Sequence, residues 1–134
     1  MRMLPPYEII RGNSDEREHV FMTTNGEGVL VPYNLSAEFT DVQMQVRDKP
    51  FNKGNLIATL SLGDGLTITG EEVGDNNILT VSLSSEQSLN FAKDKNKPYY
   101  YDIVFIGASN KVKTLLRGTY EVTANVTTID EPSS

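Results

Sequence analysis

Residues 111–127 alternate with a period of two. Val112, Thr114, Leu116, Gly118, Tyr120, Val122, Ala124 and Val126 hold the even positions; Lys111, Lys113, Leu115, Arg117, Thr119, Glu121, Thr123, Asn125 and Thr127 hold the odd ones. Successive side chains of a strand point to opposite faces, so the pattern sets an apolar face against a polar one, with Leu115 the clear exception. A long strand that is dry on one side only belongs to an antiparallel sheet in a sandwich or barrel. The preceding run completes a hairpin over 99–127. Tyr99, Tyr101, Ile103 and Phe105 share one face, and Tyr100, Asp102, Val104 and Ile106 share the other. Both faces are largely apolar, which suits a strand covered on both sides.

The same period recurs upstream. Val42, Met44 and Val46 alternate with Asp41, Gln43, Gln45 and Arg47 in a strand over 39–47, and Leu79, Val81 and Leu83 are in phase over 78–83. Strands over 56–62 and 66–69 flank the Gly63-Asp64-Gly65 turn, and shorter ones are predicted at 7–10, 19–23 and 29–31, the last stopped by Pro32. Asn25-Gly26 reads as a hairpin turn, because both residues tolerate positive φ. The charged stretch 15–18 reads as exposed, and 48–55, with Pro50 and Gly54, as a loop. One helical signal stands out: Ser84 with Gln87 three residues on forms a capping box, with room for one or two turns.

Regular strands, turn signals between them and one short helix predict an all-β fold, a single antiparallel β-sandwich of immunoglobulin-like type. Pro5-Pro6 makes 1–6 an extended arm, 7–127 forms the domain, and 128–134 is a flexible tail. No internal repeat divides the chain.

At 134 residues the chain is the size of one domain, and it has no cysteine, so disulfides and thiolate metal sites are excluded. Its 18 acidic and 12 basic side chains give a net charge of −6, which repels a phosphate backbone and disfavours nucleic acid as a partner. Lys93, Lys95 and Lys97, interleaved with Asp94, read as a solvated loop. The prolines interrupt the N-terminus before an apolar run forms, so it reads as neither signal peptide nor membrane span, and a soluble chain without membrane partners is expected.

Candidate chemistry is sparse. His19 is the single histidine and lacks a nucleophile elbow, so a structural or surface role is expected. Glu71, Glu72 and Asp75 lie in the acidic loop 70–77 and do not match an EF-hand, which leaves that loop open between a solvated turn and a loosely held calcium ion. Asn25-Gly26-Glu27-Gly28 is a turn and not a phosphate cradle, since no helix follows it. Asn34-Leu35-Ser36 and Asn125-Val126-Thr127 fit the glycosylation triplet by chance. No catalytic residue, cofactor or metal ligand is predicted, and the chain reads as a non-enzyme. Tyr100 is the interface candidate on the hairpin; Tyr99, Tyr100 and Tyr33 are the aromatics that a carbohydrate-binding reading requires.

Several segments, in order, resemble a family. Ile10-Arg11-Gly12, Val42-Gln43-Met44-Gln45-Val46-Arg47-Asp48, the 63–69 turn and strand, Tyr101-Asp102-Ile103, Leu115-Leu116-Arg117-Gly118-Thr119-Tyr120-Glu121-Val122 and Asn125-Val126-Thr127 are similar to small structural proteins of tailed bacteriophages and prophages. These come from tail, baseplate and neck (collar) gene clusters. The pattern departs at Asn34-Leu35-Ser36-Ala37, where the family has an Asp-Leu-Thr-Gly-like corner. The resemblance implies a virion protein made in the host cytoplasm, with other virion proteins and copies of itself in a symmetric ring as partners. A capsid decoration protein and a carbohydrate-binding module for host recognition are the alternatives. For docking, the expected residues are Met1, Met3, Leu4, Pro5, Pro6 and Tyr7 of the arm, together with Tyr100. The arm is apolar and is expected to have no partner within its own sheet, so a groove on a neighbouring subunit suits it.

Overall fold

The computed structural model describes residues 2–50, 53–91, 97–108 and 111–123. In chain order the strands are β1 (Arg2–Met3), β2 (Tyr7–Ile10), β3 (Asp15–Val20), β4 (Met22–Thr24), β5 (Leu30–Pro32), β6 (Phe39–Arg47), β7 (Leu56–Leu62), β8 (Gly65–Thr69), β9 (Ile78–Leu83), β10 (Lys97–Gly107) and β11 (Val112–Thr123). Helix α1 (Leu35–Glu38) precedes β6, and α2 (Ser85–Ser88) follows β9. The fold is all-β. Nine strands form one sheet in the order β1-β11-β10-β6-β7-β8-β9-β3, with β2 also on β11, while β4 and β5 form a separate hairpin.

The sheet is mixed. β10 lies antiparallel between β6 and β11, but β1 and β2 run parallel to β11. A parallel pair needs a long crossover, and here almost the whole domain intervenes between Tyr7 and its register partner Tyr120. The pairing also corrects the expectation that the N-terminal segment lacks a partner in its own sheet. Arg2 and Met3 pair with Leu116 and Arg117, and the Leu4 N–H donates to the Arg117 carbonyl at 2.9 Å.

The period-two strands bury the faces their sequences mark. Val42, Met44 and Val46 are buried from β6, Leu79, Val81 and Leu83 from β9, and Tyr99, Tyr101, Ile103 and Phe105 from β10. Leu116, Tyr120 and Val122 are buried from β11; Ala124 and Val126 lie outside the described residues. The register skips Leu115, because Ile103 faces Leu116 and Val104 faces Thr114. A one-residue bulge of this kind shifts the face that each later side chain takes, and Val112 beyond it is 62 % exposed.

Between β7 and β8 the chain turns a corner at Gly63 and Gly65, whose φ values of 83° and 98° lie in the left-handed region. A Cβ on Gly65 would sit 2.6 Å from Leu60 Cδ2, so both the conformation and the close approach require glycine. The corner carries the sheet around on itself until its two ends meet: the Arg17 guanidinium of β3 donates to the Glu8 carbonyl of β2 at 3.3 Å.

Other local readings need correction. Residues 15–18 belong to β3, which pairs along its length with β9; Glu16 and Glu18 are exposed as read, whereas Asp15 and Arg17 are half-buried. Among the described residues two short helices form instead of one. Asn34 Oδ1 caps α1 by accepting from the Ala37 N–H at 3.1 Å. The β4–β5 connection is a five-residue loop, with positive φ at Gly28 and Asn25 Oδ1 accepting from the N–H groups of Glu27 and Val29. The capping box of α2 forms as read, with Ser84 and Gln87 bonded reciprocally at 3.0 Å.

Gly118 faces Tyr101 across the β10–β11 pair, and the tyrosine ring lies over it. A Cβ there would meet Tyr101 Oη at 2.6 Å and Cζ at 2.9 Å. Gly118→Ala is therefore expected to cost about 1–3 kcal/mol, the usual price of overpacking a filled core. A urea midpoint equal to wild type would show that the Tyr101 ring moves freely.

Candidate functional site

Two clusters could carry function, one where the sheet closes and one on its outer face. At the closure, the inward positions of β3 are Asp15, Arg17 and His19, which meet Tyr7 of β2 and the tyrosines of the central strands. Arg17 Nε donates to both carboxylate oxygens of Asp15 at 3.0 Å, and the guanidinium carbon lies 4.7 Å from the centre of the Tyr7 ring. The Tyr7 hydroxyl pairs with His19 Nε2. Tyr7, Tyr101 and Tyr120 form a triangle of rings with centroids 5.3–5.5 Å apart.

Burial pushes the phenols of Tyr7, Tyr101 and Tyr120 above the ordinary tyrosine value, and the Asp15 hydrogen bond raises Arg17. The Tyr101 and Tyr120 hydroxyls are buried without a hydrogen-bond partner among the described residues. Near neutral pH the phenols stay protonated and Arg17 stays charged. The cluster joins the two ends of the sheet through Tyr7, Arg17 and His19.

The outer face is more open. Alternation along β10 turns Tyr100 and Asp102 away from the core, and they line a groove of about 380 Å³ with Met3, Gln45, Arg47, Pro50, Arg117 and Thr119. Strand register explains the grouping: Tyr100 lies between Arg47 of β6 and Thr119 of β11, and Asp102 lies between Gln45 and Arg117. Arg117 and Asp102 form an ion pair at 3.7 Å. Arg47 donates to Gln45 Oε1 at 3.1 Å and to the Gly54 carbonyl at 3.3 Å. Met3 is 64 % exposed at the rim, and Tyr100 is half-buried.

Of the residues expected to dock a partner, the structure brings Met3 and Tyr100 together. Leu4 packs partly buried against the core and Tyr7 is buried, while Pro5 and Pro6 are exposed at the break between β1 and β2. Met1 lies outside the described residues. Tyr99 is no stacking platform: it is 2 % exposed, with its ring centre 4.5 Å from that of Phe91. Tyr33 is half-buried. Arg47, Asp102 and Arg117 were not singled out as site residues in the sequence; their outward parity was legible, but their grouping needs the register of three strands.

A second depression, lined by Asp15, Glu16, Asp64, Glu86 and Ser84, lies beside α2. Among the described residues no three His, Asp or Glu side chains are grouped to hold a metal ion. Likewise no described helix is long and apolar enough to cross a membrane.

No family model matches the chain, and no curated protein matches it. Among solved structures 101 chains match. One is murine CRIg, at 8 % identity and a TM-score of 0.39, covering 90 % of this chain and 92 % of that one. A likeness of that size carries no argument about fold or function.

Proposed function

We propose that the chain is a non-enzymatic structural protein of a tailed-phage virion, a tail, baseplate or neck-collar component that docks through the outer groove. The observation that carries the docking reading is the groove itself: exposed Met3 of β1 and half-buried Tyr100 of β10 line one depression across β11, with Arg47, Arg117 and Asp102 around them. An aromatic and a methionine inside a charged rim is the composition of a protein-binding patch. The virion assignment draws on the sequence resemblance.

The same reading takes the fold as an immunoglobulin-like sandwich. What supports it is the Gly63–Gly65 corner between β7 and β8, which would divide the sheet into one layer of β1, β2, β11, β10, β6 and β7 and another of β8, β9 and β3. Such a module works by placement. Each contact is weak, and repetition around a ring makes the sum stable.

Tyr100→Asp tests this, because the side chain faces outward and its loss leaves the core intact. Wild type is expected in the proteome of purified particles at a fixed copy number, with the variant folded and soluble yet depleted at least ~10-fold, the loss that about 1.4 kcal/mol of contact energy represents. Absence of wild type from particles, or equal incorporation of the variant, contradicts the reading. Copy number separates a tail or collar ring from head decoration.

A further inference from the structure

We propose that the groove is filled by the β4–β5 hairpin of a second copy of this chain, so that copies add head to tail. The inference rests on the docking reading and names the occupant. β4 and β5 pair only with each other, outside the main sheet; Met22 and Leu30 on them and Val29 in their connecting loop are 45 %, 64 % and 53 % exposed. Val20, just before the hairpin, adds a further exposed apolar side chain. A groove of about 380 Å³ has room for two such side chains, since a cavity of ~150 Å³ accepts a benzene.

Charge complements shape. Glu27 at the hairpin tip is the single ionisable residue between Met22 and Pro32. The groove carries two cations, Arg47 and Arg117, against one anion, Asp102, on a chain whose net charge is −6. A local positive site on an acidic protein fits an apolar loop with one carboxylate.

The hairpin is also preformed. Phe21 at its base is bonded through its N–H to the Asn77 carbonyl at 2.8 Å, and its carbonyl accepts from the Tyr33 N–H and from Asn77 Nδ2. Little ordering cost remains on docking.

The two surfaces cannot meet within one molecule. Phe21 packs on Phe105 near the end of β10, with ring centres 5.8 Å apart, whereas Tyr100 stands near its start. Five residues of strand separate them, ~17 Å. Two unlike surfaces at opposite ends give a heterologous contact, which builds a ring when the rotation closes and a filament when it does not.

Sedimentation velocity over a concentration series, with Leu30→Asp and Tyr100→Asp variants, tests the proposal. Both substitutions lie on outward surfaces, and unchanged melting temperatures verify folding. Wild type is expected to grow beyond dimers as concentration rises, and each variant alone to remain monomeric. Mixed in equal amounts, the variants are expected to stop at a one-to-one dimer, because one intact hairpin then meets one intact groove. Glu27→Lys is expected to weaken wild-type association about threefold at low salt and less at high salt.

A wild type that stays monomeric throughout, a mixture that does not pair, or a Leu30→Asp variant that still self-associates overturns the proposal. If wild type is monomeric but Tyr100→Asp still loses particle incorporation, self-association falls and groove docking stands. If incorporation is also unaffected, both fall.

Discussion

Tyr120→Ala is expected to lower folding stability by about 3–5 kcal/mol, the range for truncating a large buried aromatic whose site cannot collapse. Tyr120 is 0 % exposed, and its ring packs against Tyr7, Tyr101 and Phe91. Those neighbours come from β2, β10 and the segment after α2, so the cavity would open where three elements meet. Tyr120→Phe is the informative partner. The hydroxyl is buried without a hydrogen-bond partner among the described residues, so removing it is expected to be neutral or to stabilise by up to ~1 kcal/mol. Urea midpoints for the two variants check both statements. A loss below about 1 kcal/mol for the alanine variant, at an unchanged slope, would mean that the ring is not enclosed.

Stability is expected to fall steeply above pH 10. Burial holds the Tyr101 and Tyr120 phenols well above the ordinary value of 10.0, with the Tyr7 side chain adding to the effect on Tyr101. In the unfolded chain both ionise near 10. Above that pH the unfolded state binds fewer protons than the native state, so the stabilising effect is complete below pH 10 and is lost as pH rises. Each tyrosine contributes a slope of about 1.4 kcal/mol per pH unit, and the pair about 2.7. Urea midpoints at pH 9, 10 and 11 measure it. The Tyr101→Phe/Tyr120→Phe double variant is expected to flatten most of the fall, leaving the part due to Tyr7. An equally steep fall in the double variant would assign alkaline unfolding to other groups.

Much of the central sheet is legible in the sequence because its strands are dry on one face. Val42–Val46, Leu79–Leu83 and Tyr99–Phe105 keep their parity, and burial follows it residue by residue. Leu115, which breaks the alternation, marks the place where the register skips. β3 was illegible for the opposite reason: its inward positions are Asp15, Arg17 and His19, which satisfy one another and Tyr7 instead of forming a dry face. Edge pairing is equally hidden, since no local pattern joins Tyr7 to Tyr120.

The groove was half-legible. Parity put Tyr100 outside and composition drew attention to Met3, but only strand register brings Arg47, Asp102 and Arg117 around them. The hairpin apolars Met22, Val29 and Leu30 looked like ordinary strand residues. Their exposure follows from β4 and β5 pairing only with each other, outside the main sheet.

Hydroxyl-radical footprinting of the chain, free and within purified phage particles, tests groove docking most directly. Met3, Met22, Leu30 and Tyr100 are expected to lose reactivity together on assembly, while Val73 and Val112, exposed outside both surfaces, keep theirs. Unchanged labelling of Met3 and Tyr100 in the particle, or protection confined to Val73 and Val112, would contradict docking through the groove.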